Sequence, residues 1–414
     1  MSVKIAYQKT CRICQSTRVV KILTLPQMPL TDEYVTDKTF GKEFLADIDI
    51  YFCEDCQTVQ TLHNADLSAY YDTYHYSVAA SKIASQFMEY VAASVLKTYF
   101  DNAPGLKVLE VGSGDGEQLR FFKEKGCRVL GYEPSAPLVK KAEEKGVPSI
   151  QGLFDSSSIS KLPADFKKAD IILLSYTFDH LPEPFKFLEA VSSILDPQTG
   201  LLVIEVHDLE KLLSRREYCL LEHEHTIYLT RATAQMVMEK AGLTVIDFDL
   251  IPESVRRANS LIFIATPKSS RFSSRKTPKV QLEQYNRLSF YTEQADKIKE
   301  GIKNLDAFIE KTVRAGKSVA GYGAGGRAIM TLAATSSAGK MKYLIDKKLK
   351  GEGIYSPKSH LPVYGLDHLK KSPVDEVIVF SYGYMKEILE DCLPLGYSAA
   401  QFKSVIDVMA GKWN

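Results

Sequence analysis

Four of the seven cysteines fall in two C-x2-C pairs, Cys11/Cys14 and Cys53/Cys56. Each pair can sit on a turn and offer two thiolates to one tetrahedral ion, and four sulfurs favour zinc over harder cations. With all four ligand positions filled, no place is left for a substrate, so the expected role is structural. The remaining Cys127, Cys219 and Cys392 are scattered and make a poor disulfide framework. The densest acid–base cluster is Glu222-His-Glu-His225-Thr-Ile-Tyr228. A histidine titrating near neutrality can take a proton, and a neighbouring carboxylate, Glu224, can fix its tautomer. The spacing is not H-E-x-x-H, so a zinc-protease reading fails. A solvated charged turn is the alternative. The aromatic run Tyr70–Tyr76 either packs between domains or covers a substrate. Asp179-His180 follows the strand-like DIILLSY, at the strand end where ligands of parallel sheets sit.

Two glycine-rich loops could approach ligands closely. The first, Glu110-Val-Gly112-Ser113-Gly114-Asp-Gly116, follows KVLEV. Its spacing is G-x-G-x-G, and Glu117 stands where a dinucleotide fingerprint needs glycine. Glu110 before the first glycine suits a cationic ligand better than a pyrophosphate. Glu133, closing the next strand, suits a ribose diol. This combination resembles the class I S-adenosylmethionine-dependent methyltransferases. The second loop, Gly321-Tyr322-Gly323-Ala-Gly325-Gly326, does satisfy G-x-G-x-x-G, with Asp346 20 residues further on. NAD, the phosphate of a nucleotide-sugar and a ligand-free turn all remain open for it.

The elements that must hold these residues form an α/β chain. Its 414 residues suit two to four domains. Basic and acidic residues balance at 52 to 51, which argues against a dedicated nucleic-acid or membrane binder. Without a secretory h-region or a long apolar run, a cytoplasmic location is expected. Residues 1–67 read as the zinc-binding module. Residues 68–266 alternate strands (Lys107–Val111, Val129–Glu133, Asp170–Tyr176, Leu201–Val206) with helices (Glu117–Lys125, Ala136–Lys145), then end in two edge strands, Leu243–Leu250 and Ser260–Ala265. Pro267–Lys279, rich in Ser, Pro and base, reads as a solvated tether. A long helix over Leu282–Ala315 then leads into a third, Rossmann-like domain, 280–414.

In this order the paired cysteines, the cofactor core, HEHxxY and the GYGAxxR segment resemble the sugar C-methyltransferases of deoxysugar biosynthesis, over essentially the whole chain. The resemblance implies methylation of a nucleotide-linked 4-keto-6-deoxysugar, with zinc structural and S-adenosylmethionine the methyl donor. It implies His225 as the base, supported by Glu224, with Tyr76 and His180 at the reacting sugar. Cofactor contacts are expected from Glu110, Gly112, Ser113, Gly114, Gly116, Glu133, Pro134 and Tyr176. Sugar contacts are expected from Tyr74, Glu222, Tyr228, Arg257 and Tyr322. The C-terminal domain would help hold the nucleotide, without NAD, in a monomer. Glu222, Tyr176, Ala258-Asn259-Ser260 and Arg327 depart from the family pattern and line the expected substrate side, so the sugar, its methylated position or the acceptor atom is expected to differ. An oxygen or nitrogen methyltransferase, an NAD-dependent oxidoreductase and a non-catalytic nucleotide-sugar binder are the alternatives.

Overall fold

The computed structural model describes residues 3–31, 33–67, 81–275, 277, 280, 283–347 and 353–413. Among these, four sheets account for the strands. β1 (Ile5–Tyr7) pairs antiparallel with β5 (His63–Ala65). β2 (Val19–Met28), β3 (Ala46–Cys53) and β4 (Val59–Thr61) form an antiparallel sheet that holds one cysteine pair at the β3–β4 turn.

The central sheet has seven strands. They are β6 (Lys107–Val111), β7 (Arg128–Glu133), β8 (Ser149–Gln151), β9 (Ile171–Ser175), β10 (Leu201–His207), β12 (Leu243–Asp247) and β13 (Ser260–Pro267). Their order is β12-β13-β10-β9-β6-β7-β8, and only the β13 pairings are antiparallel. β6, β9 and β10 are almost wholly buried apolar runs, as parallel strands covered on both faces must be. Helix α1 (Lys82–Phe100), α2 (Glu117–Glu124), α3 (Ala136–Glu144), α4 (Pro184–Ile194), α5 (Leu209–Ser214) and α6 (Arg231–Lys240) accompany it. Chain order reverses between β6 and β9, which opens a crevice at their carboxyl ends.

One short strand, β11 (Ile227–Tyr228), leaves this domain and pairs with β4. It is the direct consequence of the HEH segment being threaded against the cysteine module. Thr61 N donates to the Thr226 carbonyl at 3.1 Å, and Thr61 Oγ1 donates to the His225 carbonyl at 3.1 Å. Arg12, buried and held down to about 10 by that burial, donates to the carbonyls of Thr61, His63 and Pro182. The His63 and His223 rings meet at 3.1 Å.

The third unit is an open parallel sheet of β14 (Val319–Tyr322), β15 (Leu344–Ile345), β16 (Val363–Tyr364), β17 (Glu376–Val379) and β18 (Phe402–Ser404), ordered β16-β15-β14-β17-β18. That order, centred on the strand before the second glycine loop, is Rossmann-like. α7 (Leu288–Arg314), α8 (Gly326–Ala333), α9 (His368–Lys371), α10 (Met385–Cys392) and α11 (Val405–Met409) complete it. Tyr291 of α7 packs on Phe52 of β3 at 4.9 Å between ring centres. One apolar core runs from the cysteine module through Tyr218–Leu221 into the C-terminal domain.

The expected tether is not a tether as far as the described residues go. Phe272 is buried against Tyr99 and Phe100, and Ser269 and Ser270 donate to the carbonyls of Pro197 and Gln198. One aromatic in a polar run is enough to dock the segment. No helix among the described residues is long and apolar enough to cross a membrane.

Candidate active site

The four cysteine sulfurs converge. Cys11 and Cys56 stand 3.4 Å apart, and Cys14 and Cys53 3.6 Å. Tetrahedral thiolates bound at about 2.3 Å lie roughly 3.8 Å from one another, so the cluster needs little adjustment to close on zinc. Gln60 Nε2 donates to Cys11 Sγ at 3.1 Å, and Thr58 Oγ1 lies 3.1 Å from Cys56 Sγ, as partners that orient thiolates do. Contact with Cys56 draws the Cys11 thiol down to about 4, while Cys56 is driven up because Cys11 takes the negative charge. Four thiolates cannot coexist here without a cation. The site binds zinc, and it is closed to substrate.

The first glycine loop leaves β6 and enters α2. Gly112 has φ +71°, and a Cβ there would come 2.3 Å from Thr177 Oγ1, so only glycine fits. Glu133, at the end of β7, accepts from Gly114 N and Ser135 N, both at 2.9 Å. Pro134 lies between these anchors. Glu110 is fully buried, and its Oε2 has no hydrogen-bond partner among the described residues. Burial first, then Asp115 and Glu133, push its carboxyl well above the usual range. Ser113 Oγ is buried and likewise orphaned. A buried, uncompensated carboxylate calls for a cation. The amino group and sulfonium of S-adenosylmethionine supply positive charge, and the remaining lone pairs of Glu133 suit a ribose diol, so the residues present fit this cofactor. Glu117, the residue in place of the fingerprint glycine, binds Ser85, Arg120 and Lys145 and is held near 2 by them against the cost of burial.

The ends of β9 and β10 carry the second half of the site. Tyr176 takes φ +50°, an unusual conformation for a bulky residue. Its ring packs on His207 at 4.4 Å, and the Arg257 guanidinium lies 4.4 Å over it. Arg257, expected at the sugar, is engaged by buried Glu205, with its Nε 3.1 Å from Oε1. Asp179 is buried, and its Oδ2 lies 2.8 Å from His207 Nδ1. Burial would raise this carboxyl, but His207 and the surrounding imidazoles hold it below the usual range. The His225 ring sits 4.6 Å from His207 and 4.8 Å from His180. Burial and then His225 draw His180 down to about 3, so it stays neutral.

Several expected contacts resolve differently. His225 Nδ1 faces the Leu220 carbonyl at 2.8 Å, and the carboxylate within ion-pair distance of its Nε2 is Glu222 at 3.7 Å. Glu222 therefore takes the neighbouring place assigned to Glu224, because the turn brings residues three apart together. The Tyr228 hydroxyl accepts from Glu222 N at 3.2 Å and shapes that turn from inside. Tyr322 is buried in the C-terminal core beside Tyr343 and Val379, because alternate residues of β14 face it. Tyr74 and Tyr76 lie outside the described residues. Arg327, at the start of α8, reaches the site instead: it lies 3.6 Å from buried Glu217, over the Tyr382 ring, close enough to bear on Tyr176. His207 was absent from the expected site residues, and Asp179 was singled out only beside His180 at the strand end, without a role. A histidine closing a buried strand, EVH, was the available signal for His207.

Three families match consecutive parts of the chain. Residues 11–71 match a "Putative zinc binding domain", 84–247 a "Methyltransferase domain" and 274–403 a "C-methyltransferase C-terminal domain". The chain is similar to the C-methyltransferase NovU of Streptomyces niveus, 24% identical over 389 residues, covering 92% of this chain and 91% of that protein. An uncharacterized methyltransferase of Geobacillus kaustophilus is 36% identical over 105 residues, 25% of this chain and 47% of that one. Among solved structures, the PH0226 protein of Pyrococcus horikoshii is 19% identical, with a TM-score of 0.38 over 48% of this chain and 99% of its own. The CurJ carbon methyltransferase is 17% identical, with a TM-score of 0.35 over 45% and 55%.

Proposed function

We propose that the chain, an S-adenosylmethionine-dependent methyltransferase that matches a zinc-binding, a methyltransferase and a C-methyltransferase C-terminal domain, transfers methyl to a carbon alpha to the ketone of a nucleotide-linked deoxysugar. The observation that carries this reading is the imidazole cluster of His180 and His207, after β9 and β10, with His225 from the turn before β11, on the same sheet whose β6 and β7 carry Glu110 and Glu133. Transfer to oxygen or nitrogen also needs a proton removed, but a carbon acid needs the most help, from a base placed in a dry site. S-adenosylmethionine supplies an electrophilic methyl group when bound. Glu110 and Glu133 hold its charged and ribose ends, and the buried walls exclude water. An imidazole of the cluster removes the proton alpha to the ketone. Arg327, which leaves the second glycine loop at the start of α8 beside Glu217 and Tyr382, would meet the diphosphate. NovU is itself named a C-methyltransferase, which supports carbon as the acceptor. We further take the working form to be a cytoplasmic monomer.

The test is incubation with methyl-labelled S-adenosylmethionine and a panel of nucleoside-diphosphate 4-keto-6-deoxyhexoses, followed by carbon NMR of the product. Label on a new carbon–carbon bond is expected. Label on oxygen or nitrogen overturns the reading.

A further inference from the structure

We propose that Arg12 is a positioning residue: from between two zinc ligands it holds together the backbone segments that carry His180 and His225, so the cysteine module sets the geometry of proton removal. The proposal rests on the carbon-methylation reading, in which these two rings meet the sugar.

Arg12 is buried, and its guanidinium is spread over three segments. Nε donates to the Thr61 carbonyl at 2.8 Å, and Nη2 to the His63 carbonyl at 2.7 Å. Nη1 donates to Asn64 Oδ1 and to the Pro182 carbonyl, both at 2.7 Å. One planar group thus fastens β4 and β5 of the module to the segment that follows His180. Thr61 carries the connection on, through its bonds to the carbonyls of His225 and Thr226. Thr226 N then donates to the Asp179 carbonyl at 2.7 Å, and Thr226 Oγ1 to the Leu181 carbonyl at 2.6 Å. His180 lies between those two acceptors, and its ring meets that of His225 at 4.8 Å. A closed circuit of hydrogen bonds therefore starts at Arg12, passes both catalytic segments and returns to it at Pro182.

The circuit is tied to the metal site at two points. Arg12 N donates to Gln60 Oε1 at 2.8 Å, while Gln60 Nε2 donates to Cys11 Sγ. Among the described residues the hydrogen-bond acceptors of the guanidinium are all neutral, and a buried cation of that kind needs negative charge nearby. Four thiolates around one divalent cation keep a net negative charge, and Cys11 is the chain neighbour of Arg12. Lysine would carry the charge without the fork that spans three segments. Glu110, Gly112 and Glu133 take their places from β6 and β7 instead, so cofactor binding does not depend on this circuit.

The test compares zinc-loaded wild type, Arg12→Lys and Thr61→Val by zinc content, calorimetry with S-adenosylmethionine, histidine-ring NMR and turnover of nucleoside-diphosphate 4-keto-6-deoxyhexoses. Both variants are expected to keep their zinc and to bind the cofactor within about twofold of wild type. In Arg12→Lys the ring signals of His180 and His225 should move, while those of His368, stacked on Tyr364 in the C-terminal domain, stay. Its kcat should fall about 30-fold with KM changed less than about threefold, because a small misplacement of a base is costly. Thr61→Val keeps the backbone bond to Thr226 and loses only the Oγ1 bond to His225. It should move the His225 signals alone and lower kcat about fivefold. Unmoved His180 and His225 signals in Arg12→Lys overturn the proposal. So does loss of zinc from that variant, which would make Arg12 a support of the metal loop, or a matching loss of cofactor affinity, which would make its effect global. Wild-type enzyme that turns over none of the probes counts against the carbon-methylation reading, and the ring signals of the free protein still decide the role of Arg12.

Discussion

The turns at 112–116 and 321–326 share a construction. Each follows a buried parallel strand near the middle of its sheet and enters a helix. Each contains one glycine that nothing else can replace: Gly112 is walled by Thr177, and Gly323, at φ +90°, would place a Cβ 2.1 Å from Ser381 Oγ. They part in the charges around them. Buried Glu110 and Glu133 flank the first, while Arg327 directly follows the glycines of the second. The glycines report only that backbone passes close to something. The neighbouring charges decide whether that something is a cation or an anion.

The largest expected separation between the turns comes from adding one methyl to each. Gly112→Ala forces Thr177 and the loop apart, and cofactor affinity by calorimetry should fall about 100-fold or more. Gly323→Ala should cost roughly 2 kcal/mol of stability and leave cofactor affinity within about twofold. Equal effects on S-adenosylmethionine would mean that the two turns serve one ligand.

Much of this was legible in sequence for identifiable reasons. Parallel strands buried on both faces read as apolar runs, and so β6, β9 and β10 stand where KVLEV, DIILLSY and LLVIEV placed them. C-x2-C carries its own geometry. What escaped depends on contacts between distant residues. His207 meets Asp179 because β9 and β10 run in register, with Glu205 opposite Ser175. The turn at 222–225 presents Glu222 rather than Glu224, and β11 joins a strand more than 160 residues earlier. Phe272 docks a stretch whose composition is otherwise that of a linker.

Charge provides the next test. Glu110→Gln keeps the shape and removes the buried charge, so affinity for S-adenosylmethionine should drop about 30-fold. The ligand-free protein should not lose stability, since an uncompensated carboxylate is gone. The sign with pH follows from the raised carboxyl. Glu110 gains its proton well above the usual carboxylate range, so cofactor affinity should weaken as pH falls toward that range, and the variant should lack the trend. In calorimetry from pH 8 to 5, an identical slope in both proteins would remove Glu110 from the cofactor site.

The smallest effect is expected at the second turn, where the ligand is held by fewer fixed charges. Arg327 is already shared with Glu217, which also receives the Tyr382 hydroxyl. A diphosphate must therefore compete with an existing contact, and the gain from one charge-assisted interaction is only about 1.5 kcal/mol. Arg327→Ala should weaken binding of a free nucleoside diphosphate about 10-fold without changing affinity for S-adenosylmethionine. NAD, tested alongside, should give no heat, the outcome expected if this turn serves only the nucleotide of the substrate. NAD binding that Gly323→Ala abolishes would reverse the comparison and make the second turn a dinucleotide site.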